Sequence, residues 1–178
     1  MKTLKKLFST VLALAFCASL CLAPCAYASS GKYVYDEYGV LNTEQIDSLE
    51  KQAAQMASDY NEGVYLLITD TMGTSDPSPT ERNNFARSFY EANGLGVGAD
   101  KEGIIFVIAI DSRDYVTVKK QVSSDPFSDD GVDALESRVT EYLSNNHWSA
   151  AADEYYNTVE EQLSFYAATG NQWSEPDP

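Results

Sequence analysis

Past residue 28 the sequence has no cysteine, one histidine (His147), four arginines and no apolar run longer than seven residues. Each shortage closes a class of function. Without cysteine there is no disulfide framework, thiol nucleophile or thiolate metal site, and one histidine cannot build a multi-histidine zinc site. His147 also lacks a G-x-S-x-G elbow, the usual frame of a hydrolytic triad. Beside Trp148 at a helix start, it reads as part of a surface or a cap. Cationic charge is scarce as well. The 150 residues after position 28 carry 9 basic and 27 acidic groups, a net charge of −18 that the −15 of the full 178 residues conceals. Phosphates would be repelled, so neither nucleic acid nor an anionic lipid surface is an expected partner.

The first 28 residues differ in kind. They hold Cys17, Cys21 and Cys25, three lysines and no acid. Lys2, Lys5 and Lys6 precede a largely apolar stretch from Val11 to Leu22, and Ala26-Tyr27-Ala28 supplies a small–x–small pattern. This is the layout of a cleavable secretory signal peptide, cut after Ala28. The apolar run is short for a membrane span, and Pro24 fits poorly before a lipidated Cys25. The expectation is export, to an extracellular or cell-envelope location. Residues 29–169 suit one domain, because 11 Tyr, 5 Phe and 2 Trp outside the leader are too many aromatics for a disordered chain. Residues 170–178 have turn composition and read as a linker-like tail.

Within the domain, Lys32 to Tyr35 reads as a strand ending at Asp36. Asn42 or Thr43 then caps a helix whose apolar face is Ile46, Leu49, Ala53, Met56, Ala57 and Tyr60. Val64 to Thr69 forms a second strand ending at Asp70, and Met72 to Pro79 a loop. A helix starting near Thr80 turns Phe85, Phe89 and Ala92 inward, with Gly94 placed to end it. Ile104 to Ile110, seven apolar residues in a row, suits a strand covered on both faces. Asp111-Ser-Arg-Asp114 looks like a tight turn into an antiparallel edge strand, Tyr115 to Val118, followed by Lys119 and Lys120. Two helices close the domain, the first capped by Ser128. The predicted fold is α/β, a three-layer α/β/α sandwich with a small mixed sheet and the order β-α-β-α-β-β-α-α. Two right-handed crossovers are expected to build it.

That topology brings Asp36, Asp70 and Asp111 to the C-terminal ends of three parallel strands, where open α/β sheets place their ligands. Acids from separate strands supply the hard oxygens that Ca²⁺ or Mg²⁺ requires. The other reading is that Asp follows strands because it favours turns and helix starts. Arg113 stands beside this edge, either in a salt bridge with Asp111 or Asp114 or holding an anionic oxygen of a substrate. Asp100, Glu102 and Asp114 are second-choice acids, with Asp100 to Gly103 read as a solvated turn at the opposite edge. Asp125 to Asp133 fails the register of an EF-hand loop and reads as a capped helix start. Gly94 to Gly98 follows a helix and precedes a strand, the reverse of a phosphate-binding loop.

Several of these segments together resemble the TPM-domain family. Tyr33-Val-Tyr-Asp-Glu-Tyr-Gly-Val-Leu41 is similar to the family's opening V-x-D-x-x-G-x-L. Lys101-Glu-Gly-Ile-Ile-Phe-Val-Ile-Ala109 resembles its entry into the central strand, Asp111 to Arg113 its D-x-R turn, and Trp148 to Tyr156 its closing helix. Glu102 stands where the family usually has Asn, and Lys119 to Ser124 replaces a stretch that is often glycine-rich. The resemblance implies an exported or membrane-tethered α/β module, often with a membrane helix following the domain. It also implies divalent-cation binding, weak acid phosphatase activity in a chloroplast relative, and roles as accessory subunits or in assembly and repair of membrane complexes. The expected function is a cation-binding accessory or scaffold for an envelope or membrane protein. The alternatives are a metal-assisted acid phosphatase and an acidic domain without a ligand.

Overall fold

A computed structural model describes residues 31–122 and 125–174, so the expected signal peptide and its cleavage site lie outside the described residues, as do the last four residues. The elements follow the expected order: β1 (Val34–Asp36), α1 (Thr43–Tyr60), β2 (Gly63–Thr69), α2 (Pro79–Ala92), β3 (Gly103–Ala109), β4 (Asp114–Lys120), α3 (Asp129–Ser144) and α4 (Trp148–Thr169). One sheet of order β1-β2-β3-β4 results, the first three strands parallel and β4 antiparallel to β3.

Local chemistry explains most boundaries. Asn42 caps α1 through a reciprocal box with Gln45, and Ser128 caps α3 by accepting from Gly131 N–H. The start of α2 is a correction. Ser78 caps it with Glu81, and Pro79 is its first residue rather than the end of a loop. Proline costs nothing there, because that N–H has no intrahelical partner. The inner face of α2 also shifts. Ala86 and Tyr90 are buried, Phe85 and Phe89 half-buried, and Ala92 exposed.

All seven residues of β2 and all seven of β3 are buried, because helices cover both faces of the sheet. Tyr65 stacks on Tyr33 and meets Tyr90 of α2 edge-on, which assigns that face to α2. Phe106 points the other way and stacks on Tyr155 of α4. On α4's face, α1 lies to one side through Gln45–Ser149 and Gln52–Glu160 bonds, and α3 packs on the other through Gln162 to the Gly131 carbonyl. Three helices therefore cover one face and α2 alone the other.

This arrangement overturns the expectation of two right-handed crossovers. The strands step in one direction from β1 to β3 while α1 and α2 lie on opposite faces, so the two connections have opposite hands. The preference for one hand is strong but local. Here α1 is held on its face by α4 and by Glu50, whose carboxylate accepts from Tyr33 and Val34 N–H at 2.9–3.0 Å.

The segment expected to be a linker begins as part of the domain. Trp173 is 5% exposed, its Nε1 donates to Glu161, its carbonyl accepts from Ser128 Oγ, and Arg138 lies over its ring.

Candidate functional site

Asp36, Asp70 and Asp111 do share the C-terminal edge. Asp36 ends β1, Asp70 follows β2, and Asp111 lies two residues past β3. Beyond the regular strands the backbone stays zipped, with Ile110 N–H donating to the Thr69 carbonyl and Asp111 N–H to the Asp70 carbonyl, both at 2.9 Å.

The three carboxylates are employed differently. Asp36 Oδ1 accepts from Gly39 N–H and Oδ2 from Leu41 N–H, each at 2.7 Å. It shapes the turn between β1 and α1, the use that strand-end aspartates commonly have. Asp70 Oδ1 takes Thr71 N–H at 2.6 Å and the Thr69 hydroxyl at 3.2 Å. Asp111 Oδ1 accepts from the Tyr38 hydroxyl at 2.8 Å, tying the β1–α1 loop to the β3–β4 hairpin. That hydrogen bond, the Asp111 charge and the more distant charge of Asp70 raise the Tyr38 pKa above its ordinary 10.0. Asp70 and Asp111 thus lie on neighbouring segments joined backbone to backbone, each with its Oδ2 unbonded among the described residues, while Asp36 serves the loop. Among the described residues no group of three or more His, Cys, Asp or Glu is arranged to hold a metal ion.

Arg113 makes no salt bridge with Asp111 or Asp114, contrary to expectation. Asp114 is paired instead with Arg82 of α2 at 2.9 Å, across a sequence separation no turn-level reasoning covers. Arg113 itself occupies a left-handed conformation (φ 57°) in the hairpin turn, and its Nη1 donates to Asn146 Oδ1 at 3.2 Å. His147 occupies the N-cap position of α4 and makes no side-chain capping bond.

The opposite edge holds Glu102, a second-choice acid whose burial was not expected, and Glu62, which the sequence reading missed. Glu102 is 5% exposed, so Asp100 to Gly103 is not the solvated turn expected, although Asp100 is exposed. The chain curls back so that Val97 and Glu102 pair backbone to backbone, over Gly96 at φ 103°. A Cβ on Gly96 would sit 2.3 Å from the Lys101 carbonyl, which only glycine avoids. Glu102 Oε1 accepts from Val122 N–H at 2.7 Å. Beside it, Glu62 is 3% exposed and accepts from Gln121 Nε2 at 2.6 Å. Burial pushes Glu62 up to about 8; the Gln121 bond opposes this, and the charges of Glu102 and Asp125 add to it. A signal was present. Glu62-Gly63 and Glu102-Gly103 each open an apolar strand, and the two glycines are register partners.

Comparison with known proteins places this geometry. A sequence model of the TPM domain matches residues 34–162. No curated protein matches the chain in sequence. The solution structure of the N-terminal domain of the cg2496 protein from Corynebacterium glutamicum is similar, with a TM-score of 0.56 at 16% identity, covering 83% of this chain and 88% of that one. The BA42 protein from Bizionia argentinensis gives 0.57 at 12% identity, over 78% and 89%. An N-terminal domain from P. gingivalis gives 0.56 at 16%, over 85% and 92%. At such identities the structures attest the fold alone, while the sequence match spans well over half the chain. The chain belongs to the TPM-domain family.

Proposed function

We propose that this TPM domain is an exported accessory module for an envelope or membrane protein, and that it takes a divalent cation, Ca²⁺ or Mg²⁺, weakly at the C-terminal edge of its sheet. The adjacency of Asp70 and Asp111 carries the reading. Their strands are bonded backbone to backbone at this level, and each carboxylate keeps an oxygen unbonded among the described residues. Two carboxylates with water completing the shell suit a hard cation at an affinity of about 10⁻⁴ to 10⁻³ M, the range of extracellular modules. Asp36 supports the site by holding the loop that carries Tyr38. Positioning suits this edge better than turnover, because no nucleophile–base pair lies there among the described residues.

Calorimetric titration with CaCl₂ and with MgCl₂ tests the reading. Saturable binding is expected for the wild type and its loss for D70N and D111N, both retaining the wild-type far-UV spectrum. Absence of saturable heat at 10 mM cation, or unchanged binding in both variants, would sink the metal part. Phosphomonoester turnover that disappears in D111N would replace it with the phosphatase alternative.

A further inference from the structure

A separate cavity opens at the end of the β3–β4 hairpin, on the α3–α4 side. Its volume is about 240 Å³. Ile108, Ala109, Leu143 and the ring of Trp148 make an apolar floor and wall, with Arg113 at the rim. Filled at the packing density of a protein interior, about 0.75, it accommodates roughly ten to twelve non-hydrogen atoms. That is too small for a nucleotide and about right for one aromatic or branched aliphatic residue.

The hydrogen-bonding groups around it are unbalanced. Ser144 and Thr140 both line it, but their hydroxyl protons are spent on α3 carbonyls, those of Thr140 and Ser137. Asp114 also lines it and is already neutralised by Arg82 at 2.9 Å. The donors left over are the rest of the Arg113 guanidinium, which gives one N–H to Asn146, together with Trp148 Nε1 and the Tyr115 hydroxyl, neither bonded among the described residues. A guanidinium presents five N–H donors in a fork that matches a carboxylate. In a chain whose residues 29–178 carry a net charge of −18, this cation is held at the mouth of an apolar cavity by a backbone conformation that side-chain-bearing residues rarely adopt.

We propose that this cavity binds a carboxylate carried on a compact apolar body, such as the terminal carboxylate of a hydrophobic residue, with Arg113 on the carboxylate and Trp148 against the body. The inference does not depend on the cation reading, which concerns Asp70 and Asp111. The same chemistry is offered by a free acid and by the C-terminus of a polypeptide, and the test separates the two.

The full chain, labelled with ¹⁵N, would be titrated with N-acetyl-L-phenylalanine, its primary amide, and a hexapeptide ending in phenylalanine with a free or an amidated C-terminus. The indole N–H resonance of Trp148 is the readout, and an affinity on the order of 10⁻⁴ M suits a ligand of this size. The free acids are expected to shift that resonance saturably, with the amides at least 10-fold weaker. R113Q should weaken the acids at least 10-fold, and S144F, placed on the exposed rim, should block them by filling the cavity. Tighter binding of the free-ended peptide than of the acetylated amino acid identifies a chain terminus as the source, and equal binding a small acid. No saturable shift at 10 mM, equal binding of acid and amide, or unchanged binding by R113Q or S144F would overturn the proposal.

Discussion

Replacing Glu62 by glutamine should make the domain more stable at pH 8 than the wild type while leaving it nearly unchanged at pH 4.5. Glu62 is 3% exposed between Gln121 and the equally enclosed Glu102, and its pKa rises from the ordinary 4.5 to about 8, chiefly through burial. The unfolded chain releases this proton near pH 4.5, whereas the folded domain keeps it to about pH 8. Between those values the unfolded state therefore binds fewer protons, so stability falls as pH rises and levels off above the folded pKa. At 1.36 kcal/mol per pKa unit, the displacement sets a ceiling of about 5 kcal/mol. Relaxation and water entry around a buried charge reduce what is measured, to about 2–3 kcal/mol. That still exceeds the roughly 0–1 kcal/mol of any exposed ion pair in the molecule, so this group should dominate the pH dependence in that window. Glutamine keeps the acceptor for Gln121 and removes the proton. Urea unfolding of both proteins at pH 4.5, 6, 7 and 8, followed by tryptophan fluorescence, gives the difference directly. A gap between variant and wild type that is constant with pH, or that widens toward acid, would refute the reasoning.

Three further outcomes are expected. Asp36→Ala removes the acceptor of two backbone N–H groups and should lower stability by about 2–3 kcal/mol in thermal or urea unfolding. Trp173→Ala should cost about 3 kcal/mol, and loss of less than about 0.5 kcal/mol would mean that the post-α4 segment is a free tail after all. Tyr38 should titrate above pH 10 in the wild type and move back toward 10 in D111N, followed by ultraviolet difference absorbance or by its ring resonances.

The element order and the aspartates at strand ends were legible because each rests on short-range pattern. Seven apolar residues before a D-x-R turn specify a covered strand and a hairpin without knowledge of the rest. Asn42 and Ser128 sit where side-chain acceptors meet the orphan N–H groups of a helix start. Pro79 was misplaced because proline is equally at home in a loop and in a first helical turn. Arg113 was assigned to its nearest acids, yet Arg82, 32 residues from Asp114, took that partner.

By itself the sequence determined the α/β class, the strand edge at which Asp36, Asp70 and Asp111 gather, and a net charge of −18 without a thiol over residues 29–178. These depend on periodicity, turn chemistry and composition, all properties of neighbours along the chain. Tertiary structure alone decided which of those aspartates kept oxygens unbonded, which face α1 covers, that Trp173 packs back on the domain, and that Glu62 and Glu102 are enclosed together. Each of those depends on what a distant segment places nearby. Glu102, which read as a polar turn residue, and Glu62, which carried no reading, became a buried pair only when β2 and β3 aligned in register and the chain after β4 closed over them. The cost of removing a carboxylate from water depends on that enclosure, not on the residues beside it in the chain.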